Sequence, residues 1–135
     1  SCSGRIVLAT GEEKKEWRWI KVSHDLVNLE WMKDVELPPG LVWLRMEPMI
    51  LHVACRNIEK AQELLDKVQP VFKKSSIQTT RNKVLVEIKG SELMVAPVAK
   101  GEWLVDDEYL SVLIDEVNKK LKRTREKIYG LLVAW

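Results

Sequence analysis

Two histidines are the first residues to consider, because imidazole is the side chain that most often moves protons near neutral pH. The 135-residue chain contains His24 and His52. His52 alternates with Leu51 and Val53, which places it on one face of a predicted strand. His24 follows the predicted strand at residues 17–22, and functional side chains are common at such junctions. Each histidine is a candidate general base, although a lone strand histidine is also often structural.

A short polar segment opens the chain and could bind an anion. It consists of Ser1, Cys2, Ser3, Gly4 and Arg5. Hydroxyl groups and backbone amides donate hydrogen bonds, and an arginine guanidinium forms bidentate contacts with a carboxylate or phosphate. A polar segment before a first strand is also common in proteins without such a site. Composition alone therefore leaves both interpretations open.

Cations collect toward the end of the last predicted helix, while acidic residues occupy its first turns. These cations are Lys119, Lys120, Lys122, Arg123, Arg125 and Lys127. They could neutralise RNA phosphates, or they could simply complement the helix dipole on a solvated face. Six tryptophans raise a similar question. Trp19 could stack on a base, whereas Trp43 lies in an apolar strand and is expected in the core.

Several other classes of site are disfavoured by the residues present. Cys2 and Cys55 do not have zinc-site spacing, so no metal site is expected. The glycines, at positions 4, 11, 40, 90, 101 and 130, form neither a dinucleotide-binding nor a P-loop fingerprint. An NTPase or a Rossmann-type enzyme is therefore not expected.

Composition indicates an ordinary globular protein. Hydrophobic residues make up 46% and charged residues 31%, and a net charge of +2 does not by itself favour nucleic acid. The longest apolar stretches, residues 49–55 and 93–99, are much shorter than the ~20 residues of a membrane helix. We expect a single domain over residues 1–135, in the cytoplasm and without a membrane segment.

The hydrophobic periods predict an α+β fold with mixed β-sheet layers and two or three helices. Predicted strands cover residues 5–9, 17–22, 41–46, 49–55, 71–76, 83–89 and 92–98. A short helix is predicted within residues 23–33. A longer one begins after Asn57 and stops at Pro70. The last helix begins at Asp106 and Asp107 and continues to about Tyr129, before Gly130.

Three segments together resemble a known family. They are SCSGRI at residues 1–6, WIKVSH at residues 19–24 and EPMILHVACR at residues 47–56. In order and spacing they are similar to the signatures of the tRNA wybutosine-synthesising methyltransferases, the third enzyme of that pathway. The similarity continues to Asn118 and covers nearly the whole chain.

The resemblance implies a cytosolic enzyme that uses S-adenosylmethionine. Its substrate would be phenylalanine tRNA, methylated on N4 of the tricyclic guanosine derivative 3′ of the anticodon. The implied fold is α+β and differs from the Rossmann-type methyltransferases. Family members usually carry a helical segment before the serine-rich motif, and the resemblance implies that this chain lacks it.

The resemblance also suggests roles for individual residues. The serine-rich motif falls on Ser1, Ser3 and Arg5, which would bind the cofactor, with an RNA phosphate as a second possibility for Arg5. His24 or His52 would accept the proton of the methylated nitrogen.

The tRNA would be held by Trp19 and by the basic helix, through Lys119, Lys120, Arg123 and Lys127. The alternatives are a non-catalytic RNA-binding α+β module and a purely structural fragment.

Overall fold

The computed structural model describes residues 2–11 and 17–133. Within these residues the chain forms eight strands and three helices, in segments with alternating and helical hydrophobic patterns. In chain order the elements are β1 (Arg5–Thr10), β2 (Arg18–Ser23), α1 (Leu29–Lys33), β3 (Leu41–Glu47), β4 (Ile50–Cys55), α2 (Ile58–Val68), β5 (Ser76–Thr80), β6 (Lys83–Lys89), β7 (Met94–Lys100), β8 (Glu102–Trp103) and α3 (Asp107–Val133). No helix in this described part is both long and apolar enough to span a membrane.

One compact unit comprises residues 5–47 and 93–123. It contains a five-stranded sheet in the order β2-β1-β3-β7-β8, in which neighbouring strands are antiparallel. The inward residues of β1 and β3 alternate along each strand and pack against α1 and the first part of α3. This core includes Ile6, Leu8, Val42, Leu44, Met46, Met32, Leu110, Ile114, Val117 and Leu121.

The other compact unit comprises residues 48–92 with the two chain ends, residues 1–4 and 124–135. Its antiparallel three-stranded sheet has the order β4-β6-β5. The apolar stripe of α2 packs on one face of this sheet. This core consists of Met49, Ala61, Leu64, Val68, Phe72, Val86 and Ile88, with Ile128 and Leu131 packed against it.

Asparagine caps set the starts of the two shorter helices. The side chain of Asn57 accepts a hydrogen bond from the backbone N–H of Lys60 at 2.9 Å. The side chain of Asn28 likewise accepts from Trp31 at 2.8 Å. Such caps satisfy a backbone donor that has no partner within the helix. The start of α2 after Asn57 is as predicted, whereas α1 occupies only the end of the predicted segment at residues 23–33.

The strand predicted at residues 71–76 is wrong. The chain forms turns after α2, in which Val71 and Phe72 both donate backbone hydrogen bonds to Val68 O, at 3.0 and 2.7 Å. Phe72 is then buried in the core of its unit, and the strand begins only at Ser76. Burial of a single aromatic side chain outweighed the strand propensity of the segment.

The predicted end of the last helix is also wrong. α3 continues through Gly130 to Val133, and Gly130 does not have the positive φ of a helix-ending glycine. Leu131 packs against the core of the unit that contains it. That packing favours continuation of the helix past the glycine.

The α+β class is confirmed, and the structure contains no Rossmann-like parallel sheet among its described residues. Every described strand pairing is antiparallel rather than a mixture.

Candidate functional site

His52, Glu87 and Gln78 form a hydrogen-bonded row on one face of the three-stranded sheet. The register pairs His52 of β4 directly with Glu87 of β6. His52 Nε2 lies 2.9 Å from Glu87 Oε2, and Gln78 Nε2 of β5 donates to the same oxygen at 2.9 Å. The imidazole is therefore held in orientation by a carboxylate that a neighbouring amide supports.

The row changes the acidity of its carboxyl group. The hydrogen bond from His52 lowers the pKa of Glu87 below its ordinary value of 4.5, against the raising effect of desolvation. A protonated His52 would also lower this pKa by its charge, as does the hydrogen bond from Gln78. An ionised Glu87 favours the imidazole tautomer with hydrogen on Nε2, which makes Nδ1 the proton-accepting nitrogen. This is the arrangement of a general base with an orienting partner.

Glu87 and Gln78 were not identified as site residues from the sequence. The alternation of Val84, Val86 and Ile88 in β6 predicts that Glu87 faces away from the apolar side. This alternation does not show which strand pairs with β6. The sequence therefore does not connect Glu87 with His52.

Cys2 and Ser3 of the polar segment lie beside β4. Cys2 N donates to Ile50 O at 2.7 Å, and Ile50 N donates to Cys2 O at 2.9 Å. Ser3 lines a cavity of about 270 Å³ together with Cys2, Met49, Leu51 and Ile128. Ser1 lies outside the described residues.

A larger cavity adjoins this one and is apolar. Its volume is about 330 Å³, within the size range of small-molecule sites. It is lined by Met49, Leu51, Val53, Phe72, Ile88, Ile128, Leu131 and Leu132. Since Leu51 and Val53 of β4 face this cavity, the alternation of the strand directs His52 to the opposite face. The structure does not bring His52 and the cavity to the same side of the sheet.

Arg5 is engaged by groups of its own unit. Its Nε and Nη2 donate to Glu47 Oε2 at 3.0 and 2.9 Å, and the register places Arg5 opposite Glu47. The guanidinium Cζ also lies 4.1 Å from the ring centroid of Trp19. Glu47 belongs to one of the three recognised segments, but this ion pair was not predicted. The charge of Arg5 is largely compensated before any ligand is considered.

His24 lies in the loop between β2 and α1, and its side chain is exposed. The loop is anchored through Val27, whose backbone forms two hydrogen bonds with the side chain of Asn118. The loop begins with a serine turn in which Asp25 N donates to Ser23 Oγ at 3.1 Å. His24 is thus an exposed side chain on a well-anchored loop.

The basic residues of α3 are not grouped with Trp19. α3 packs on the face of the five-stranded sheet that bears Ile6 and Leu8, while Trp19 is paired with Ala9, on the alternate face. Lys119, whose Nζ lies 3.3 Å from Glu116 Oε1, is exposed. Of the other predicted RNA contacts, Arg123 is exposed, Lys120 and Lys127 are half-buried, and Lys127 belongs to the other unit.

No cluster of three or more potential metal ligands occurs among the described residues.

Comparison with known proteins gives a consistent result. Residues 1–134 match the family model described as methyltransferase TYW3. A relative from Archaeoglobus fulgidus, named tRNA(Phe) 7-((3-amino-3-carboxypropyl)-4-demethylwyosine(37)-N(4))-methyltransferase, is 37% identical over 99% of this chain and 71% of its own length. A relative with the same name from Methanocaldococcus jannaschii is 32% identical over the whole chain and 72% of its own length.

Two solved structures share the fold. A protein of Pyrococcus horikoshii has a TM-score of 0.88 and 30% identity, over 97% of this chain and 72% of that one. A protein of Aeropyrum pernix has a TM-score of 0.85 and 26% identity, over 96% of this chain and 81% of that one.

Proposed function

This chain belongs to the methyltransferase TYW3 family, and on that premise we propose that it methylates N4 of a demethylwyosine-type base in phenylalanine tRNA. The observation that carries the proposal is the match over residues 1–134. The relatives' names supply the base and the atom. The antiparallel sheets agree with a methyltransferase fold outside the Rossmann class.

We further propose S-adenosylmethionine as the methyl donor, on the ground of the family's methyl-transfer activity. When bound, this group supplies a methyl carried on a positively charged sulfur. The apolar cavity of about 330 Å³ does not fit the whole donor, because burying its sulfonium, ammonium and carboxylate among apolar side chains would be costly. Ser1, Ser3 and Arg5 stay predicted donor contacts from the family resemblance, and we assign no further donor contacts.

The protein's own contribution to the chemistry is proton transfer at the tRNA base. The nitrogen that gains a methyl group must lose its proton, and His52 is proposed to accept that proton at Nδ1. Glu87 holds the other ring nitrogen at 2.9 Å and stabilises the imidazolium that forms. Gln78 keeps the Glu87 carboxylate in place. His24 stays an alternative proton acceptor on its exposed loop.

The direct test is transfer of labelled methyl from S-adenosylmethionine to phenylalanine tRNA that bears the demethylated tricyclic base. We expect label only with this tRNA and none with an unmodified transcript of the same sequence. Labelling of both tRNAs would contradict the proposed substrate. Binding of the tricyclic tRNA without transfer would instead favour the non-catalytic RNA-binding module.

A further inference from the structure

The face of the five-stranded sheet opposite α3 carries two arginine–tryptophan pairs. Arg5 Cζ lies 4.1 Å from the ring centroid of Trp19, and Arg45 Cζ lies 4.7 Å from that of Trp17. Trp43 packs against Trp17 with the ring centroids 6.1 Å apart and the planes inclined by 48°. We call these five residues the tryptophan–arginine face.

Apolar residues of β1 on this side of the sheet are fully buried. Val7 and Ala9 of β1 point toward the tryptophan–arginine face and are nevertheless 0% and 1% exposed. Trp19 itself is 51% exposed, whereas tryptophan side chains are usually well buried. The tryptophan–arginine face therefore presents the aromatic surface of Trp19 to solvent.

The two arginines differ in charge compensation. Arg5 is paired with Glu47, but Arg45 forms no ion pair with any described carboxylate. The buried Nε of Arg45 has no hydrogen-bond acceptor among the residues that the structure describes. An anion at the two terminal nitrogens of the Arg45 guanidinium would compensate a charge that no described carboxylate pairs with.

We propose that the tryptophan–arginine face binds an unpaired stretch of the substrate tRNA, with a phosphate on Arg45 and a base stacked on Trp19. This inference rests on the proposed function, which makes tRNA the substrate. Proteins that bind single-stranded RNA commonly present aromatic side chains on a sheet surface with nearby cations. A ring with a guanidinium on one side and solvent on the other suits such stacking.

The basic residues of α3 are the competing RNA contact, and those within residues 119–123 lie on the other side of the same sheet. Lys119 is the residue of α3 that we compare with Arg45, because Lys119 is exposed and already pairs with Glu116. Removing one positive charge from each side of the sheet separates the two possibilities. Trp19 adds a test that does not involve charge.

The experiment measures binding of phenylalanine tRNA by fluorescence anisotropy at several salt concentrations, for the full chain and three variants. Arg45→Gln should weaken binding about 3–10-fold and reduce the salt slope by about one. Trp19→Leu should weaken binding about 5–100-fold with an unchanged slope, as expected for loss of base stacking. Lys119→Gln, which tests the competing contact on α3, should change affinity by less than about twofold. Circular dichroism melting verifies the fold of each variant.

Normal tRNA affinity of Trp19→Leu would overturn the inference even if Arg45→Gln fails to fold, since half of the Trp19 side chain is solvent-exposed. An equal loss in Lys119→Gln would also overturn it, in favour of α3. Methyl transfer by the unaltered chain is measured in parallel. Transfer with normal binding by the variants would reject this face but keep the proposed function. Weakened binding by the variants, without methyl transfer by the unaltered chain, would support this face as an RNA-binding surface but reject the proposed methyl transfer.

Discussion

The side-chain amide of Asn118 forms both backbone hydrogen bonds of Val27, a residue 91 positions earlier in the chain. Val27 N donates to Asn118 Oδ1 at 2.9 Å, and Asn118 Nδ2 donates to Val27 O at 2.8 Å. Val27 is buried in the core beneath the loop. The amide thus takes the place of a neighbouring strand and fixes the loop that carries His24 to α3.

Asn118→Ala should destabilise the protein by about 1–3 kcal/mol, because it leaves two largely buried backbone groups without partners. Urea denaturation measures the change. The matched control is Lys122→Ala on an exposed position of the same helix, for which we expect a change within about 0.5 kcal/mol. Equal stabilities of the two variants would show that water replaces the amide without cost.

The contribution of Glu87 to stability should depend on pH. Its pKa in the folded protein is lowered, so the unfolded chain binds more protons between the two pKa values. The stabilisation is therefore fully present above the ordinary value of 4.5 and is lost as pH falls through the lowered value. Glu87→Gln should be less stable than the unaltered chain at neutral pH, with the difference shrinking in acid.

Chemical denaturation from pH 7 downward provides this measurement. Glu63→Gln is the control, because the Glu63 side chain is 64% exposed. It should show little difference at any pH. A Glu87→Gln deficit that stays constant into strong acid would contradict the assigned direction of the pKa shift.

His52→Asn should lower kcat about 10²–10⁴-fold with little change in the KM for tRNA, since a general base acts mainly in the transition state. Glu87→Gln should lower kcat less and shift the pH profile, which a purely structural residue would not do.

His24→Ala tests the alternative base. If His24 rather than His52 accepts the proton, His24→Ala lowers turnover with a modest effect on donor binding, whereas unchanged turnover would exclude His24 from the mechanism.

Arg5 and Glu47 should behave as a coupled pair. Their side chains are 27% and 20% exposed, so either single change, Arg5→Gln or Glu47→Gln, leaves a partly buried charge without its partner. In a double-mutant cycle on the free energy of unfolding we expect a coupling of about 0.5–3 kcal/mol. Lys60 and Glu63, an exposed pair at 3.3 Å, should couple by less than about 0.5 kcal/mol. Additive effects at Arg5 and Glu47 would mean that solvent compensates both charges.

Gly130→Ala should stabilise the protein by up to about 1 kcal/mol, because alanine favours the helical state. A Cβ at this position would meet no atom within 4 Å. Gly101→Ala should do the opposite, since Gly101 has a φ of +73°. Thermal unfolding compares the two variants. Destabilisation by Gly130→Ala would indicate that α3 ends before this residue in solution.

Local patterns were sufficient for several features of this protein. The N-cap Asn57 and the helical period after it predicted α2. The alternation in β6 predicted which of its side chains face the core. Short-range preferences such as these depend on neighbours within one or two turns, which the sequence displays directly. The three recognised segments likewise sufficed to identify the methyltransferase family.

Only the tertiary structure decided which residues meet. Arg5 reaches Glu47, 42 residues away, and His52 reaches Glu87, 35 residues away. The registers of two different sheets determine these contacts, and a register depends on burial over whole strands rather than on the paired residues themselves. The same dependence made residues 71–74 turns and extended α3 past Gly130, because packing against a core outweighed local propensity. It also separated Trp19 from the basic residues of α3 within residues 119–123, since alternation along β1 places the two on opposite sides of one sheet.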